Sequence, residues 1–275
     1  MKKSKVILYN PKAVFFDMPL ALLAVGSALD PERYEVVIID GRVDKNPLQQ
    51  VLDHAADALC LGITALTGSP LRDALLVTRA AKAKYPQLPI VWGGWHPSLF
   101  PKETLLDEPA IDVSVQAQGE ATFRELVEHF RDGADLATVN GICYRDAKGA
   151  IRQNPGRALE DMNFLPRANY DLINVEAYYK SKKQRQFDYI SSAGCRFRCT
   201  FCADPHVFNR KWTAIAPERM GEELAYWNKR YPFTDINFQD ETFFTKRQRV
   251  VQIAEEFIQR DIQSTWAGTM RADQG

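Results

Sequence analysis

The first 130 residues alternate short apolar runs, rich in β-branched residues, with segments whose apolar residues recur at helical spacing. The apolar runs are bounded by Gly, Pro, Asn or Asp, which is typical of buried strands. In the helical segments the apolar positions follow the i, i+3, i+4, i+7 rule, as from Leu71 to Thr78 and from Phe123 to Phe130. The pattern predicts strands over residues 5–9, 35–40, 58–64, 90–93 and 112–116, with helices between them.

Strands that alternate with helices predict an α/β fold with a parallel sheet, because parallel strands need crossover connections and those crossovers cover the faces of the sheet. We therefore expect a Rossmann-like, doubly wound first domain. In such a domain the ligand lies beyond the carboxyl ends of the strands. The loops to examine are residues 10–19, 64–70, 93–97 and 116–120.

A different pattern follows the first five strands. Residues 142–145 and 150–153 flank a short turn and predict a hairpin, and residues 154–186 are rich in turn residues. The alternation then resumes with predicted strands over 187–192, 235–239 and 264–270 and helices over 217–230 and 246–260. We expect a first domain over residues 1–153, a linker over 154–186, and an incomplete β/α layer over 187–275. Two and a half β/α repeats are too few to close a barrel, so this last layer is expected to be truncated.

Composition narrows the possible partners. The chain has 275 residues, with 35 basic and 35 acidic residues and 45% hydrophobic residues, which is ordinary for a globular protein. It lacks the runs of positive charge that binding to a phosphate backbone usually requires, so nucleic acid is not an expected partner. No apolar run approaches the roughly 18 residues needed to cross a bilayer, and we expect a cytoplasmic protein without a membrane span.

Cysteine spacing suggests a metal centre. The chain has five cysteines, and Cys195, Cys199 and Cys202 form a C-x3-C-x2-C motif after a predicted strand. Three thiolates from one loop can hold three irons of a [4Fe-4S] cluster and leave the fourth iron open. The same residues with His206 would also make a tetrahedral zinc site, and buried, unligated thiols are a third interpretation. Cys60 and Cys143 are expected to be buried as small apolar residues.

The cysteine motif resembles the signature of the radical S-adenosylmethionine (SAM) family. Phe201 occupies the aromatic position that this family uses beside the adenine, and residues 191–194, 238–243 and 266–271 resemble its partial TIM barrel. The resemblance implies that Asp240 or Glu241 lies near the SAM amino group and that Arg271 lies near its carboxylate or the substrate. From the residues alone, the two acids are also compatible with the N-terminus of the next helix, and Arg271 with a solvated loop.

The first domain resembles the cobalamin-binding domain that precedes the barrel in B12-dependent radical SAM enzymes. The matching stretches are residues 19–24, 61–64, 92–97, 118–123 and 165–166. Paired glycines at the end of a strand leave room for a large ligand to approach the backbone. Gly-Gly is also common in sharp turns. A histidine after such a pair can simply order the loop through backbone contacts. The residues assigned to cobalamin are Asn10, Thr64, Gly93, Gly94, His96, Gly119 and Glu120.

Two departures from the family pattern affect the cobalamin site. The sequence has no Asp-x-His-x-x-Gly, the motif that places a histidine under cobalt in other B12 proteins, so cobalt is expected to lack a protein ligand of that kind. The family usually has Gly-Glu-Gly-Glu where this chain has Ala117-Gln118-Gly119-Glu120. The resemblance therefore does not imply the contact that the first acid makes in the family.

Together the resemblances imply a radical SAM enzyme, similar to cobalamin-dependent methyltransferases and to the anaerobic magnesium-protoporphyrin monomethyl ester cyclase. A [4Fe-4S] cluster would cleave SAM to a 5'-deoxyadenosyl radical, and cobalamin would serve methyl transfer to an unactivated carbon. The expected partners are a small-molecule substrate and a low-potential electron donor, either flavodoxin or ferredoxin. The alternatives are a radical oxidative cyclase and a non-catalytic zinc or iron–sulfur binding module. No residue is assigned to the catalytic step itself.

Overall fold

The computed structural model describes residues 2–274, which form two compact units. The first takes Met1–Phe15 and Ala21–Ala158, and the second takes Phe16–Leu20 and Leu159–Gly275. Met1 and Gly275, the outer limits of the two expected domains, lie outside the described residues. Residues 159–186, which the sequence assigns to a linker, fall within the second unit.

The first unit is built on one seven-stranded sheet with the order β2-β1-β3-β4-β5-β6-β7. Strands β1 to β5 pair in parallel, and the β6–β7 hairpin continues the sheet in antiparallel fashion beside β5. The strands are β1 Ser4–Asn10, β2 Tyr34–Asp40, β3 Ala58–Thr64, β4 Ile90–Gly93, β5 Val113–Val115, β6 Ile142–Arg145 and β7 Ile151–Gln153. The predicted parallel α/β sheet is confirmed.

Helices cover both faces of this sheet, because alternate residues of each strand point to opposite sides. Ile7 and Tyr9 of β1 pack in one core, whereas Val6 and Leu8 pack in the other, the second of which includes Phe123. The prolines that open three of the helices suit the first helical turn, where their missing N–H has no partner to lose. The helices are α1 Leu20–Ser27, α2 Pro47–His54, α3 Pro70–Lys84, α4 Trp95–Leu99, α5 Pro101–Asp107 and α6 Glu120–Asp132.

The second unit has a three-stranded parallel sheet with the order β12-β11-β8 and a two-stranded antiparallel pair, β9 with β10. The strands are β8 Gln186–Tyr189, β9 Ser192–Ala193, β10 Thr213–Ala214, β11 Asp235–Phe238 and β12 Thr265–Gly268. The helices are α7 Val175–Lys182, α8 Asp204–Val207, α9 Pro217–Arg230 and α10 Arg247–Gln259. Helix α7 lies in the segment predicted to be a linker.

The strand predicted over residues 187–192 is divided in two. The parallel pairing of β8 with β11 ends at Tyr189, and the backbone N–H of Ser191 donates to the Asp240 carboxylate instead of to a neighbouring strand. Aromatic rings fill the core beside β8, where Phe187 lies 4.4 Å from Tyr170 and 4.9 Å from Phe233 between ring centroids. Across residues 2–274, no helix is both long and apolar enough to cross a membrane.

Candidate functional site

The strand order of the first unit indicates where a ligand would bind. The chain leaves β1 for β2 on one side and reaches β3 on the other, so the connections diverge at the carboxyl ends of β1 and β3. In open α/β sheets this divergence opens the ligand crevice. Asn10 and Thr64 are the last residues of these two strands. The crevice therefore lies at two of the residues predicted from the sequence.

Asn10 is held within the fold at this edge. It is buried, and its Nδ2 donates to Asp40 Oδ2 at 2.9 Å. The same Asp40 oxygen accepts from Arg42 Nη2 at 2.7 Å, and both side chains of this ion pair are almost fully buried. A buried ion pair needs further hydrogen bonds to offset its desolvation, and Asn10 supplies one. Its side-chain donor is thus engaged by Asp40.

The two glycines after β4 serve different purposes. Gly94 has a φ of 92°, and a Cβ added there would stand 2.9 Å from Thr64 Oγ1, so the turn itself requires glycine. A Cβ on Gly93 would meet only Val115 Cβ, at 4.0 Å. Gly93 therefore borders open space at the end of the strand, whereas Gly94 is explained by the fold alone.

His96 lies in helix α4 and not in a loop, so the loop prediction was wrong. Its backbone N–H donates to Ala65 O at 3.0 Å, and its Nδ1 lies 3.1 Å from Thr67 Oγ1. Burial lowers the pKa of His96, which favours the neutral imidazole. The His96 ring is thus bonded to the loop after β3, which agrees with the interpretation that this histidine orders a loop.

Gly119 and Glu120 stand at the start of α6. Gly119 is the N-cap residue, and a Cβ there would press on Val25 Cγ1 at 3.2 Å. Glu120 is the first residue of the helix, where a negative charge is favoured by the helix dipole. Ala117 in the preceding loop adopts a φ of 57°, a left-handed conformation that is uncommon for a residue with a side chain.

Sequence reasoning missed three apolar side chains at this edge. Val14 and Phe15 follow β1, Leu66 follows β3, and all three are exposed, Val14 to 89%. Large apolar side chains gathered in loops that border a crevice are typical of a surface that a ligand covers. In the sequence, apolar residues at turn positions after two adjacent parallel strands could have indicated this surface.

The C-x3-C-x2-C cysteines of the second unit lie in one loop between β9 and α8. Cys195, Cys199 and Cys202 are each partly exposed, and the backbone N–H of Cys202 donates to Cys199 O at 3.1 Å. Burial raises the pKa of Cys195. Within residues 2–274 no group of three or more His, Cys, Asp or Glu side chains is arranged to hold a metal ion, and His206 is exposed. The loop brings the three thiols into one segment but does not gather them, alone or with His206, around a common point.

The other two cysteines are buried as predicted. Cys60 in β3 and Cys143 in β6 are both fully inaccessible to solvent. Burial raises the pKa of Cys60 to about 12, so its thiol stays protonated. These two residues are part of the sheet's cores.

Arg271 contacts the cysteine loop. Its Nη1 lies 2.8 Å from Cys199 Sγ, and its guanidinium carbon lies 4.0 Å from the centroid of the Phe197 ring. Asp273 accepts a second hydrogen bond from Nη2 at 2.8 Å. Arg271 therefore contacts the cysteine loop, while its side chain is still 29% exposed. Phe201, by contrast, is 90% exposed, so its ring is free to cover a flat ligand.

Asp240 is a buried anchor. It is 2% exposed and accepts hydrogen bonds from the Ser191 N–H and Oγ, each at 2.7 Å, and from Ser192 Oγ at 2.5 Å. Burial raises its pKa and these donors act against the rise. Arg249 of α10 donates to the carbonyl oxygens of Ser191 and Ile215, at 3.0 and 3.1 Å. Asp240 and Arg249 thereby hold the strand end that leads into the cysteine loop.

Glu241, the residue after Asp240, has one carboxylate oxygen that accepts no hydrogen bond from the described residues. Its Oε2 is buried and, in the part of the chain that the structure describes, has no hydrogen-bond partner. Burial and the nearby charges of Asp204 and Asp240 raise its pKa to about 7. Helix α10 begins at Arg247, after a 3₁₀ turn over Phe243–Thr245, so neither Asp240 nor Glu241 lies in its first turn. A buried acceptor of this kind is suited to a cationic or hydrogen-bond-donating ligand.

Asp204 is a second unpaired carboxylate, which the sequence reasoning did not single out. It is 1% exposed, and neither of its oxygens has a hydrogen-bond partner among residues 2–274. Burial raises its pKa to about 6, and the nearby backbone N–H of Cys195 opposes part of the rise without forming a full hydrogen bond. The sequence offered one signal for Asp204, because this acid stands directly before a proline and two residues after the last cysteine.

Comparisons with known proteins agree with both units. A family model described as the B12 binding domain matches residues 10–127. An uncharacterized methyltransferase of Pyrococcus horikoshii is 30% identical over 99% of this chain and 61% of its own length. The anaerobic magnesium-protoporphyrin IX monomethyl ester cyclase of Synechocystis is 26% identical over 93% of this chain and 51% of its own. The chain thus spans between half and two thirds of these relatives.

A solved structure shares the fold. The cobalamin-dependent S-adenosylmethionine radical enzyme OxsB, with aqua-cobalamin and S-adenosylmethionine bound, superposes with a TM-score of 0.78 at 24% identity. The match covers 96% of this chain and 38% of that one.

Proposed function

We propose that this chain, which is similar to B12-binding radical SAM proteins, is part of an enzyme that holds a [4Fe-4S] cluster, SAM and cobalamin and methylates an unactivated carbon. The first unit would be the cobalamin-binding domain, and residues 187–275 the opening part of a radical SAM barrel. The observation that carries the proposal is one loop with three thiols, together with a cation and with buried carboxylate oxygens of Asp204 and Glu241 that have no hydrogen-bond partner among the described residues.

The residues around the loop suit an iron–sulfur cluster that binds SAM. We propose that Cys195, Cys199 and Cys202 hold the cluster, because three thiolates leave one iron open for a ligand. When bound, the cluster with SAM supplies a radical that removes hydrogen from an unactivated carbon, and cobalamin supplies the methyl group. The three thiols are partly exposed and so accessible to iron, in contrast to the fully buried Cys60 and Cys143.

Glu241 and Arg271 are proposed to orient SAM through its charged ends. The unused Oε2 of Glu241 is suited to the SAM ammonium group, since a buried acceptor without a partner is stabilised by a cationic donor. Asp240 is better explained as the anchor of Ser191 and Ser192. Arg271 is suited to the SAM carboxylate or to an anionic substrate group, and the exposed Phe201 ring is suited to stack on the adenine.

The carboxyl edge of the first sheet is proposed to hold cobalamin. Gly93 leaves open space beside β4, and the exposed Val14, Phe15 and Leu66 offer apolar surface that a large macrocycle would cover. Thr64, Gly94 and Gly119 shape this edge, with Asn10, His96 and Glu120 beside them. His96 is already bonded to the loop after β3, which fits cobalt without a histidine beneath it.

Partners and location follow from the proposed chemistry. The substrate is proposed to be a small molecule. Reduction of the cluster needs a low-potential electron donor, either flavodoxin or ferredoxin, and we propose that the enzyme works in the cytoplasm, where thiols stay reduced. A second candidate is a radical oxidative cyclase, which the similarity to the magnesium-protoporphyrin cyclase favours.

The test is anaerobic reconstitution with iron, sulfide, SAM and methylcobalamin, followed by metal analysis and by quantification of 5'-deoxyadenosine. The proposal expects about four irons per chain and reductant-dependent cleavage of SAM. One zinc per chain with no SAM cleavage would instead establish a binding module. SAM cleavage without any use of the cobalamin methyl group would favour the cyclase.

A further inference from the structure

The second unit contains a pocket of about 440 Å³ on the β10 side of the cysteine loop. This volume lies within the range of ordinary small-molecule sites. Its lining combines a tryptophan with positive charge, and neither was assigned to the cluster, to SAM or to cobalamin. The residues that carry the argument are Asp161, Arg196, Arg210, Lys211, Trp212 and Thr213.

Three cations line the pocket without an acidic partner. Arg196, Arg210 and Lys211 form no ion pair with any residue from 2 to 274. Asp161 is the one acid in the lining, and it is already engaged, since the backbone N–H of Asn163 donates to it at 2.9 Å and Thr213 Oγ1 at 3.3 Å. These donors lower the pKa of Asp161. The pocket therefore carries an excess of positive charge that the protein does not neutralise.

Trp212 contributes an aromatic ring and a hydrogen-bond donor to the lining. The Arg196 guanidinium carbon lies 5.4 Å from the centroid of its ring, and Lys246 Nζ lies 5.1 Å from the same centroid. The indole Nε1 is buried and has no hydrogen-bond partner among the described residues. The ring thus attracts Arg196 of the lining, and also Lys246 outside the lining, by cation–π interactions.

The backbone fixes these side chains to the cysteine loop. Gly194 has a φ of 75°, and an added Cβ would collide with the carbonyl oxygen of Lys211. Asn209 and Arg210 both adopt left-handed conformations, with φ of 51° and 58°. Two successive left-handed residues are costly unless the surroundings require them, and a costly conformation is typical of functional turns. The turn is thus packed directly against the residue before Cys195.

We propose that this pocket binds the phosphate group of a small phosphorylated molecule. Two guanidinium groups present forked donors that match the oxygens of phosphate, and a lysine adds a further point charge. The excess of three cations over one engaged carboxylate favours a dianionic phosphate over a single carboxylate. The inference is independent of the proposed methyl transfer, because no residue that lines the pocket is among those proposed to hold the cluster, SAM or cobalamin.

The test is isothermal titration of the 275-residue chain with inorganic phosphate and with pyrophosphate, at low and at high sodium chloride. We expect one site for pyrophosphate, with phosphate binding more weakly and with affinity that falls as salt rises. Arg196→Gln and Arg210→Gln should each weaken pyrophosphate binding about tenfold, as the loss of a charged hydrogen bond does. Asp161→Asn should tighten binding, which a merely structural role for the pocket would not produce.

Arg198→Gln is the matched control, because Arg198 is an exposed arginine of the same loop that does not line the pocket. It should leave pyrophosphate affinity within about twofold of the parent. Circular dichroism of each variant checks that it is folded. Absence of saturable pyrophosphate binding by the folded parent chain overturns the proposal, and so does an equal loss in the Arg198 and Arg196 variants.

Discussion

Arg271 Nη1 donates to Cys199 Sγ at 2.8 Å, which joins the segment after β12 to the middle of the cysteine loop. The pair is separated by 72 positions in the sequence, and Asp273 holds the guanidinium from its other side. A cation is thereby kept beside a thiol that we propose binds iron.

Arg271→Gln should weaken SAM binding to the reconstituted protein about tenfold or more, because it removes a charged donor suited to the SAM carboxylate. Iron content should stay unchanged, since Arg271 is not proposed to be an iron ligand. Equilibrium dialysis with SAM, together with iron analysis, measures both. Arg247→Gln, at an exposed arginine of α10, is the control. Unchanged SAM affinity in Arg271→Gln would remove this residue from the site.

Loss of any one cysteine of the loop should abolish the cluster. Cys195→Ala, Cys199→Ala and Cys202→Ala each leave two thiolates, which are too few to support a site-differentiated cluster. Iron analysis and visible absorption after anaerobic reconstitution give the measurement. Cys60→Ala and Cys143→Ala are the matched controls and should keep their iron, because both thiols are fully buried in the other unit. Loss of iron in either control would contradict the three-cysteine assignment.

Gly93→Val should lower cobalamin affinity by about tenfold or more while the cluster still assembles. Valine suits a strand backbone, and its side chain would occupy the open space at the end of β4. Gly156→Val is the control, because a Cβ there also meets open space but Gly156 follows β7, the outermost strand on the side of the sheet away from β1 and β3. Titration with hydroxocobalamin followed by absorption measures the affinity. Gly94→Val is unsuitable as a probe, since its positive φ and its contact with Thr64 would disturb the turn itself.

Glu241→Gln should change how stability depends on pH. The folded state raises the pKa of Glu241 from 4.5 to about 7, so the folded protein binds a proton more tightly than the unfolded chain. The stabilisation from that proton is present below the unfolded pKa and is lost as pH rises towards 7. The glutamine variant should lack this loss and gain about 1–3 kcal/mol relative to the parent at pH 8. Urea unfolding of the metal-free chain at pH 4.5 and pH 8 gives the comparison. An equal difference between variant and parent at both pH values would show that Glu241 does not titrate in this way.

Arg219→Gln should expose residues 159–167 to proteases. Arg219 donates to the carbonyl oxygens of Met162, Asn163 and Leu165, at 3.0, 2.7 and 2.9 Å, and so ties this segment to α9. Limited proteolysis with mass spectrometry should find faster cleavage there than in the parent. Arg230→Gln, which removes an exposed ion pair with Asp171, should leave the cleavage rate unchanged. Equal cleavage in both variants would mean that Arg219 does not secure the segment.

The hydrophobic pattern predicted the sheet well because strand and helix periodicity are local properties. The limits of β3 and β4 agree with prediction, and those of α9 do as well. The segment 154–186 resembled a linker because its composition is rich in turn residues, but Arg219 and Tyr170 anchor it through contacts distant in sequence. Such contacts have no local signature.

In the candidate site, too, local patterns could be predicted from the sequence and contacts between distant residues could not. The cysteine motif was visible because its three members are close in sequence. The difference between Asp240 and Glu241 was invisible, since it depends on Ser191 and Ser192 reaching one of them and not the other. Asp204 escaped notice for the same reason, because its lack of partners is a property of the folded surroundings.

Arg249 sets a lower limit on the length of a working fragment of the second unit. Its guanidinium reaches the carbonyl oxygens of Ser191 and Ile215, which flank the cysteine loop and β10 on either side. A fragment that ends before Arg249 leaves both carbonyls without this donor, although every cysteine of the motif is still present. Peptides designed to carry the motif alone would thus retain the ligands but lose the brace that holds the two ends of their loop at a fixed separation.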